Sequence, residues 1–146
     1  RLHKLSPSDI ERAAALEAAS YPEDEAASAE QLAFRCTRAP DYFYGLYEDA
    51  ELIGFVVGTC AQGATARLNE ASMSTHDDSG AGPLTLCIHS VVVEESRRCK
   101  GIGRAMVCAY VQCVARDVAT RRARRALLIA KADKLSLYAA CGFQLV

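Results

Sequence analysis

A run of apolar residues, Leu86-Cys87-Ile88-His89-Ser90-Val91-Val92-Val93, leads into Glu94-Glu95-Ser96-Arg97-Arg98-Cys99-Lys100-Gly101-Ile102-Gly103-Arg104 and then into a helical pattern. These residue types make an anion cradle. Gly101 and Gly103 permit backbone geometries that aim successive N–H groups inward, and the helix start adds the positive end of its dipole. Arg97, Arg98, Lys100 and Arg104 supply charge, so a pyrophosphate fits. The loop lacks the G-K-[ST] closure of a Walker loop and the G-x-G-x-x-G of a Rossmann loop. Taken alone, R-x-x-G-x-G is also what a glycine turn with solvated basic residues looks like.

The elements that must hold this cradle are legible around it. Ser6-Pro7-Ser8-Asp9 reads as a helix entry with a capping serine or aspartate, followed by a helix to about Ser20. Tyr21-Pro22-Glu23-Asp24-Glu25 breaks it as an acidic, aromatic elbow, and Ala26 to Arg38 resumes a helix. Tyr42 to Tyr47 and Leu52 to Cys60 read as an antiparallel hairpin. Gln62 to Pro83 is polar and small enough for a long loop, with a short helix near Leu68. Leu84 to Val93 has the continuous apolar character of a central strand covered on both faces. A helix over Gly103 to about Ala119 and a strand over Ala126 to Ala130 then imply a right-handed parallel crossover. Asp133 to Ala140 reads as a short, Asp-capped helix ended by Gly142, with Phe143 starting another strand.

Composition bounds the function. The 146 residues, about half of them hydrophobic, suit one core and a single domain over residues 1–146. Seventeen Lys and Arg against 18 Asp and Glu leave a net charge of −1, so no whole-molecule field attracts nucleic acid or an anionic membrane. The basic run from Arg116 to Arg125 has no interleaved aromatic residues and reads as a solvated helix end and turn. Seven cysteines without a C-x-x-C pair suggest neither a disulfide framework nor a zinc site, and fit a reducing, cytoplasmic setting. No run reaches the roughly 18 to 20 apolar residues of a membrane span, and Arg1-Leu-His-Lys lacks a signal-peptide core.

With its flanking strand and helix, Arg98-Cys99-Lys100-Gly101-Ile102-Gly103 resembles the acetyl-CoA signature of the GNAT acetyltransferases. Three segments in order, Tyr21 to Ser28, Cys87 to Val93 and Leu137 to Phe143, are similar to the arylalkylamine (serotonin) N-acetyltransferases, most closely the non-vertebrate branch. The resemblance implies a mixed, mostly antiparallel α+β sheet with a splayed central parallel pair and flanking helices. It implies acetyl-CoA as co-substrate, no metal, and a small-molecule arylalkylamine as acceptor, the chemistry of melatonin biosynthesis. By that resemblance Val91, Val92 and Val93 bond the pantetheine arm through their backbone. Cys99 to Arg104 hold the pyrophosphate, and Ile129, on the next parallel strand, lines the pantetheine channel.

The same resemblance turns His89, otherwise readable as a satisfied core histidine, into the candidate base for a protonated amine. Alternation puts it on one face with Cys87 and Val91. Vertebrate relatives carry a histidine where this chain has Cys87, which is either an inert buried thiol or a lining residue. Tyr138 matches the tyrosine that protonates the departing thiolate; its other reading is plain packing on the short helix. Tyr21, Pro22 and Glu23 match the substrate-binding loop, where the ring and proline can stack on an aryl group and the carboxylate can attract an ammonium, or simply cap a helix. A polyamine or a peptide lysine remains the alternative acceptor, and a non-catalytic acyl-CoA-binding module the alternative class.

Overall fold

The computed structural model of the chain describes residues 1–63 and 67–146. Five strands form one sheet in the order β1 (Leu2–Lys4), β2 (Phe43–Glu48), β3 (Glu51–Gln62), β4 (Leu84–Val93), β5 (Ala123–Leu127). Neighbours are antiparallel except β4 and β5, which run parallel. Helices α1 (Ile10–Ser20) and α2 (Ala29–Arg38) cover one face, and α4 (Ile102–Arg116) covers the other. Of two short helices, α3 (Glu70–Ser74) sits in the connection from β3 to β4 and α5 (Leu135–Ala140) follows β5. This is the mixed sheet with a parallel pair that the sequence led us to expect. Among the described residues no helix is long and apolar enough to cross a membrane.

The local chemistry explains where the elements begin and end. Helix α2 starts at Ala29, later than expected, because Ser28 and Gln31 form a capping box with bonds of 3.1 and 2.9 Å. Ser6 and Asp9 cap nothing with their side chains; Asp9 instead accepts from the Tyr47 hydroxyl at 2.7 Å. The short helix expected near Leu68 is α3, boxed by Asn69 and Ser72. Positions 64–66 of the expected long loop lie outside the described residues. Helix α4 stops at Arg116, because Asp117 turns extended. Asp133 is no cap: a 3-10 turn over Ala132–Lys134 leads into α5, which Gly142 ends at φ +93 as expected.

Two strand expectations need correction, and one strand was not foreseen. The edge strand β1, three residues long, is too short to show a period and exists only by pairing with β2. Strand β5 lies over Ala123–Leu127 rather than Ala126 to Ala130, since its register is set by pairing from Leu84↔Ala123 onward. Phe143 starts no strand; its amide instead donates back to the Tyr138 carbonyl at 3.0 Å.

The sheet separates two cores. Leu16, Leu32, Phe55, Val57 and Val92 belong to the α1/α2 side, whereas Leu86, Ile88, Met106, Tyr110 and Val114 belong to the α4 side. Strand β4 changes parity between them. Ser90 pairs with Val57, but Gly58 pairs with Ile88, so His89 is the extra residue of a β-bulge. Before the bulge, Leu84, Leu86 and Ile88 face α4; after it, Val91 and Val93 pack on that side. His89 therefore stays with Cys87 on the α1/α2 face, and the expected grouping with Val91 fails, because alternation resets at the bulge.

Pairing between β4 and β5 stops at Cys87↔Leu127, although β4 runs on to Val93. The second half of β4 thus has an edge without a strand partner among the described residues. On its other edge β3 approaches closely, and a Cβ at Gly54 would lie 2.6 Å from the Val92 carbonyl oxygen. Backbone cannot yield there as a side-chain tip can. Gly54→Ala is expected to destabilise the fold by about 1–3 kcal/mol in denaturant melts, while Gly82→Ala, with nothing within 4 Å among the described residues, leaves the midpoint unchanged or slightly raised. Equal midpoints for the two variants would contradict this register.

Candidate active site

The open edge of β4 presents the amide and the carbonyl of Val91. Both are engaged by one side chain: the Tyr21 hydroxyl donates to the Val91 oxygen at 3.1 Å and accepts from the Val91 N–H at 3.3 Å. Since the polar groups of successive strand residues point to opposite edges, Val92 aims its own at β3, as its approach to Gly54 requires. Its backbone is turned away from the slot, so Val92 does not fit the pantetheine contact expected of it. The Val93 carbonyl accepts from Arg98 Nε at 2.9 Å. Ile129 lies past the end of β5 and is 77% exposed, so it does not line a strand pair as expected.

Beyond Val93 the chain enters the glycine loop. Glu94 is held between Arg12 at 2.7 Å and Arg97 at 3.0 Å, and Arg97 reaches on to Glu48 at 2.7 Å. Arg98 also donates to Ser20 Oγ at 2.9 Å. Two of the four expected cations are therefore structural ties. Lys100 and Arg104 make no ion pair among the described residues and are exposed. Cys99 and Gly101 both adopt positive φ, +62 and +78, and Gly101 caps α4 without a side-chain bond. The first-turn N–H groups of Ile102, Gly103 and Arg104 are left free of capping side chains, and no acidic residue stands in that turn. A diphosphate with an amide-bearing arm fits this set: an open strand edge leading to a cationic helix start.

His89 Nε2 lies 2.7 Å from Thr59 Oγ1, and its buried Nδ1 has no partner among the described residues. Burial, with a smaller contribution from the Arg35 guanidinium, pushes the imidazole down to about 3. The side chain is neutral at physiological pH and does not titrate near neutrality as expected. An alkyl ammonium near 10.4 stands about seven pK units above it. Cys87 is fully buried and burial pushes its thiol up, which leaves it no thiolate for proton work. Tyr138 is raised by burial to about 12, with Tyr21 close enough to contribute. Its ring packs edge-on against Phe143 at 5.9 Å and borders a cleft of about 1210 Å³ between β5, α4 and α5. In the elbow, Pro22 and Glu23 are exposed, and Glu25 pairs with Lys131 at 3.4 Å.

Several polar residues escaped the sequence reading. Glu17 is 1% exposed; its Oε1 accepts from Ser90 Oγ at 2.7 Å and from the Ala27 amide at 3.2 Å, and its Oε2 has no partner among the described residues. The signal was present, because Glu17 stands one turn after the buried Ala13 and so falls on the apolar stripe of α1. Thr59 and Ser90 gave no such signal, since their neighbours depend on the bulge. Among the described residues no cluster of three or more His, Cys, Asp or Glu could hold a metal ion.

The family of acetyltransferase (GNAT) domains matches residues 39–145. No curated protein sequence matches the chain. Among solved structures, the GphF GNAT-like decarboxylase in complex with isobutyryl-CoA superposes with a TM-score of 0.76 at 21% identity, over 99% of this chain and 72% of that one. An acetyltransferase of Trypanosoma brucei gives 0.66 at 18% identity, over 100% and 93%. Glucosamine-6-phosphate N-acetyltransferase of Arabidopsis thaliana gives 0.64 at 13%, over 100% and 92%. Identities this low carry the fold alone, but the family match spans most of the chain and includes β4, the glycine loop and α4. The chain belongs to the GNAT acetyltransferases, which work on acyl-CoA.

Proposed function

We infer that the chain transfers the acetyl group of acetyl-CoA to the primary amine of an arylalkylamine of the serotonin, tryptamine or phenylethylamine type, by direct attack in a ternary complex. One observation carries the reading: the Tyr21 hydroxyl of the elbow closes on the Val91 backbone at the open edge of β4, with Tyr138 close by. The elbow that can stack an aryl group is thus placed against the edge where a pantetheine amide would pair. The three sequence segments resembling arylalkylamine acetyltransferases supply the acceptor class.

In this reading Val91 and Val93 offer the backbone groups for the arm. Lys100 and Arg104, with the α4 amides from Ile102 to Arg104, take the pyrophosphate, while Arg98 and Cys99 shape the loop. Acetyl-CoA brings a thioester activated toward amine attack. Tyr138 keeps its proton at neutral pH and donates it to the departing thiolate. His89, neutral with a bare Nδ1, accepts a hydrogen bond from the attacking nitrogen. Pro22 and Glu23 sit on the open side of the elbow, where they meet the acceptor.

A second reading starts from the His89–Thr59 pair. A neutral imidazole and a hydroxyl 2.7 Å apart suit hydrogen bonding to an enolate, and one solved neighbour is a GNAT-like decarboxylase. An acyl-CoA carrying a β-carboxylate would then be the substrate.

Thiol release from acetyl-CoA with tryptamine, serotonin, phenylethylamine, spermidine and a lysine peptide separates the acceptors. The arylalkylamines are expected to react fastest; preference for spermidine or the peptide would overturn that acceptor class. Carbon dioxide release from malonyl-CoA as the sole turnover would favour the second reading. For Tyr138→Phe, kcat is expected to fall about 10- to 100-fold with acetyl-CoA affinity nearly kept; a large affinity loss at unchanged kcat would make Tyr138 a binding residue. Tyr21→Phe removes the hydroxyl that occupies Val91, so acetyl-CoA is expected to bind about two- to tenfold tighter by calorimetry. Weaker binding would mean that the hydroxyl serves the bound state instead.

A further inference from the structure

Glu17 has no place in the chemistry described so far, yet its setting is costly. A carboxylate oxygen buried without a donor is expensive to keep. Glu17 is 1% exposed, and Oε1 takes Ser90 Oγ and the Ala27 amide, leaving Oε2 bare among the described residues. Ser90 adjoins His89, whose Nδ1 is also buried and bare, and the bulge turns both residues toward α1 and α2. Two polar atoms on one face, unsatisfied among the described residues, can take donors from a ligand. Glu17 lies under the elbow, which runs from Tyr21, whose amide donates to the Glu17 carbonyl, to Ala27. A primary ammonium carries three N–H donors, one of which Oε2 can accept.

We propose that Glu17 is the residue that deprotonates the acceptor, receiving the ammonium proton at Oε2. This rests on the reading of the chain as an amine acetyltransferase. One ammonium N–H bond breaks and an O–H bond forms on Glu17. The freed lone pair makes the C–N bond, the C–S bond breaks, and the thiolate takes its proton from Tyr138. The second nitrogen proton, shed as the amide forms, passes through water to restore Tyr138, and the Glu17 proton leaves to solvent. His89 holds the nitrogen and takes no net proton. Burial pushes the Glu17 carboxyl up, toward the range a base at neutral pH needs, whereas it pushes His89 down and out of that range. The groups facing Glu17 are Ser90 from β4, Arg35 from α2, and Tyr21 and the Ala27 amide from the elbow. Arg35 bears on both Glu17 and His89 and favours the ionised carboxylate.

Glu17→Gln keeps an oxygen for Ser90 and Ala27 but cannot accept the proton. With tryptamine as acceptor, kcat/KM at neutral pH is expected to fall by about a hundredfold or more, with acetyl-CoA affinity and melting temperature close to wild type. The deficit is expected to shrink as pH approaches 10, where the amine sheds its own proton. A loss that is the same at every pH, or no loss, would overturn the proposal. Ser90→Ala gives an independent readout should Glu17→Gln fail to fold. The Ser90 hydrogen bond lowers the Glu17 pKa, so its removal is expected to move the acidic limb of the kcat/KM profile to higher pH; an unmoved limb would count against Glu17. Wild-type protein that binds acetyl-CoA but acetylates no amine overturns the amine reading and this proposal together, whereas active wild type with an equally active Glu17→Gln removes only the latter.

Discussion

Strand β5 leaves β4 after the Cys87↔Leu127 pair, and the groups this exposes govern the rest of the site. An unpaired amide or carbonyl inside a protein costs about 1–3 kcal/mol if left without a partner. Strand β4 continues to Val93, so its open edge must be satisfied by something other than a strand. The chain uses two side chains. The Tyr21 hydroxyl, able to donate and accept through one atom, covers both groups of Val91, and Arg98 covers the Val93 carbonyl. Both are side chains that can withdraw, unlike a hydrogen-bonded strand.

The bulge at His89 is the second half of the same design. One extra residue in β4 sends the Val91 and Val93 side chains to the α4 face and leaves His89 and Ser90 together on the α1/α2 face. Polar side chains consequently gather on one side of the strand, with the loop to α4 at its end. Thr59, Glu17 and Arg35 are drawn into that cluster from three different elements. Burial then separates the two titratable groups in opposite directions, raising the carboxyl and lowering the imidazole.

Much of this was legible in the sequence. The glycine loop, the central apolar strand, the elbow and the short tyrosine-bearing helix were all found where their composition placed them, because each rests on local rules of turns, caps and periodicity. What the sequence could not show were consequences of pairing. A bulge leaves no mark in a run as uniform as Leu84 to Val93, so the face of His89 was read partly wrong, and its core-like burial was only one of two readings. The limits of β5 are set by register with β4 rather than by propensity, which displaced Ile129 from the strand. Arg97 and Arg98 look like phosphate ligands in a list of charges, and only the fold reveals Glu48, Glu94 and Ser20 waiting for them.

The central claim, that the open edge of β4 and the start of α4 together form the acyl-CoA site, is tested most directly by an amide-resolved NMR titration with acetyl-CoA. The expected result is a saturable shift of the Val91, Ile102, Gly103 and Arg104 amides at one common dissociation constant, with the Val57 amide in the closed β3–β4 ladder unmoved. Saturable binding that leaves the Val91 and α4 amides in place would contradict it.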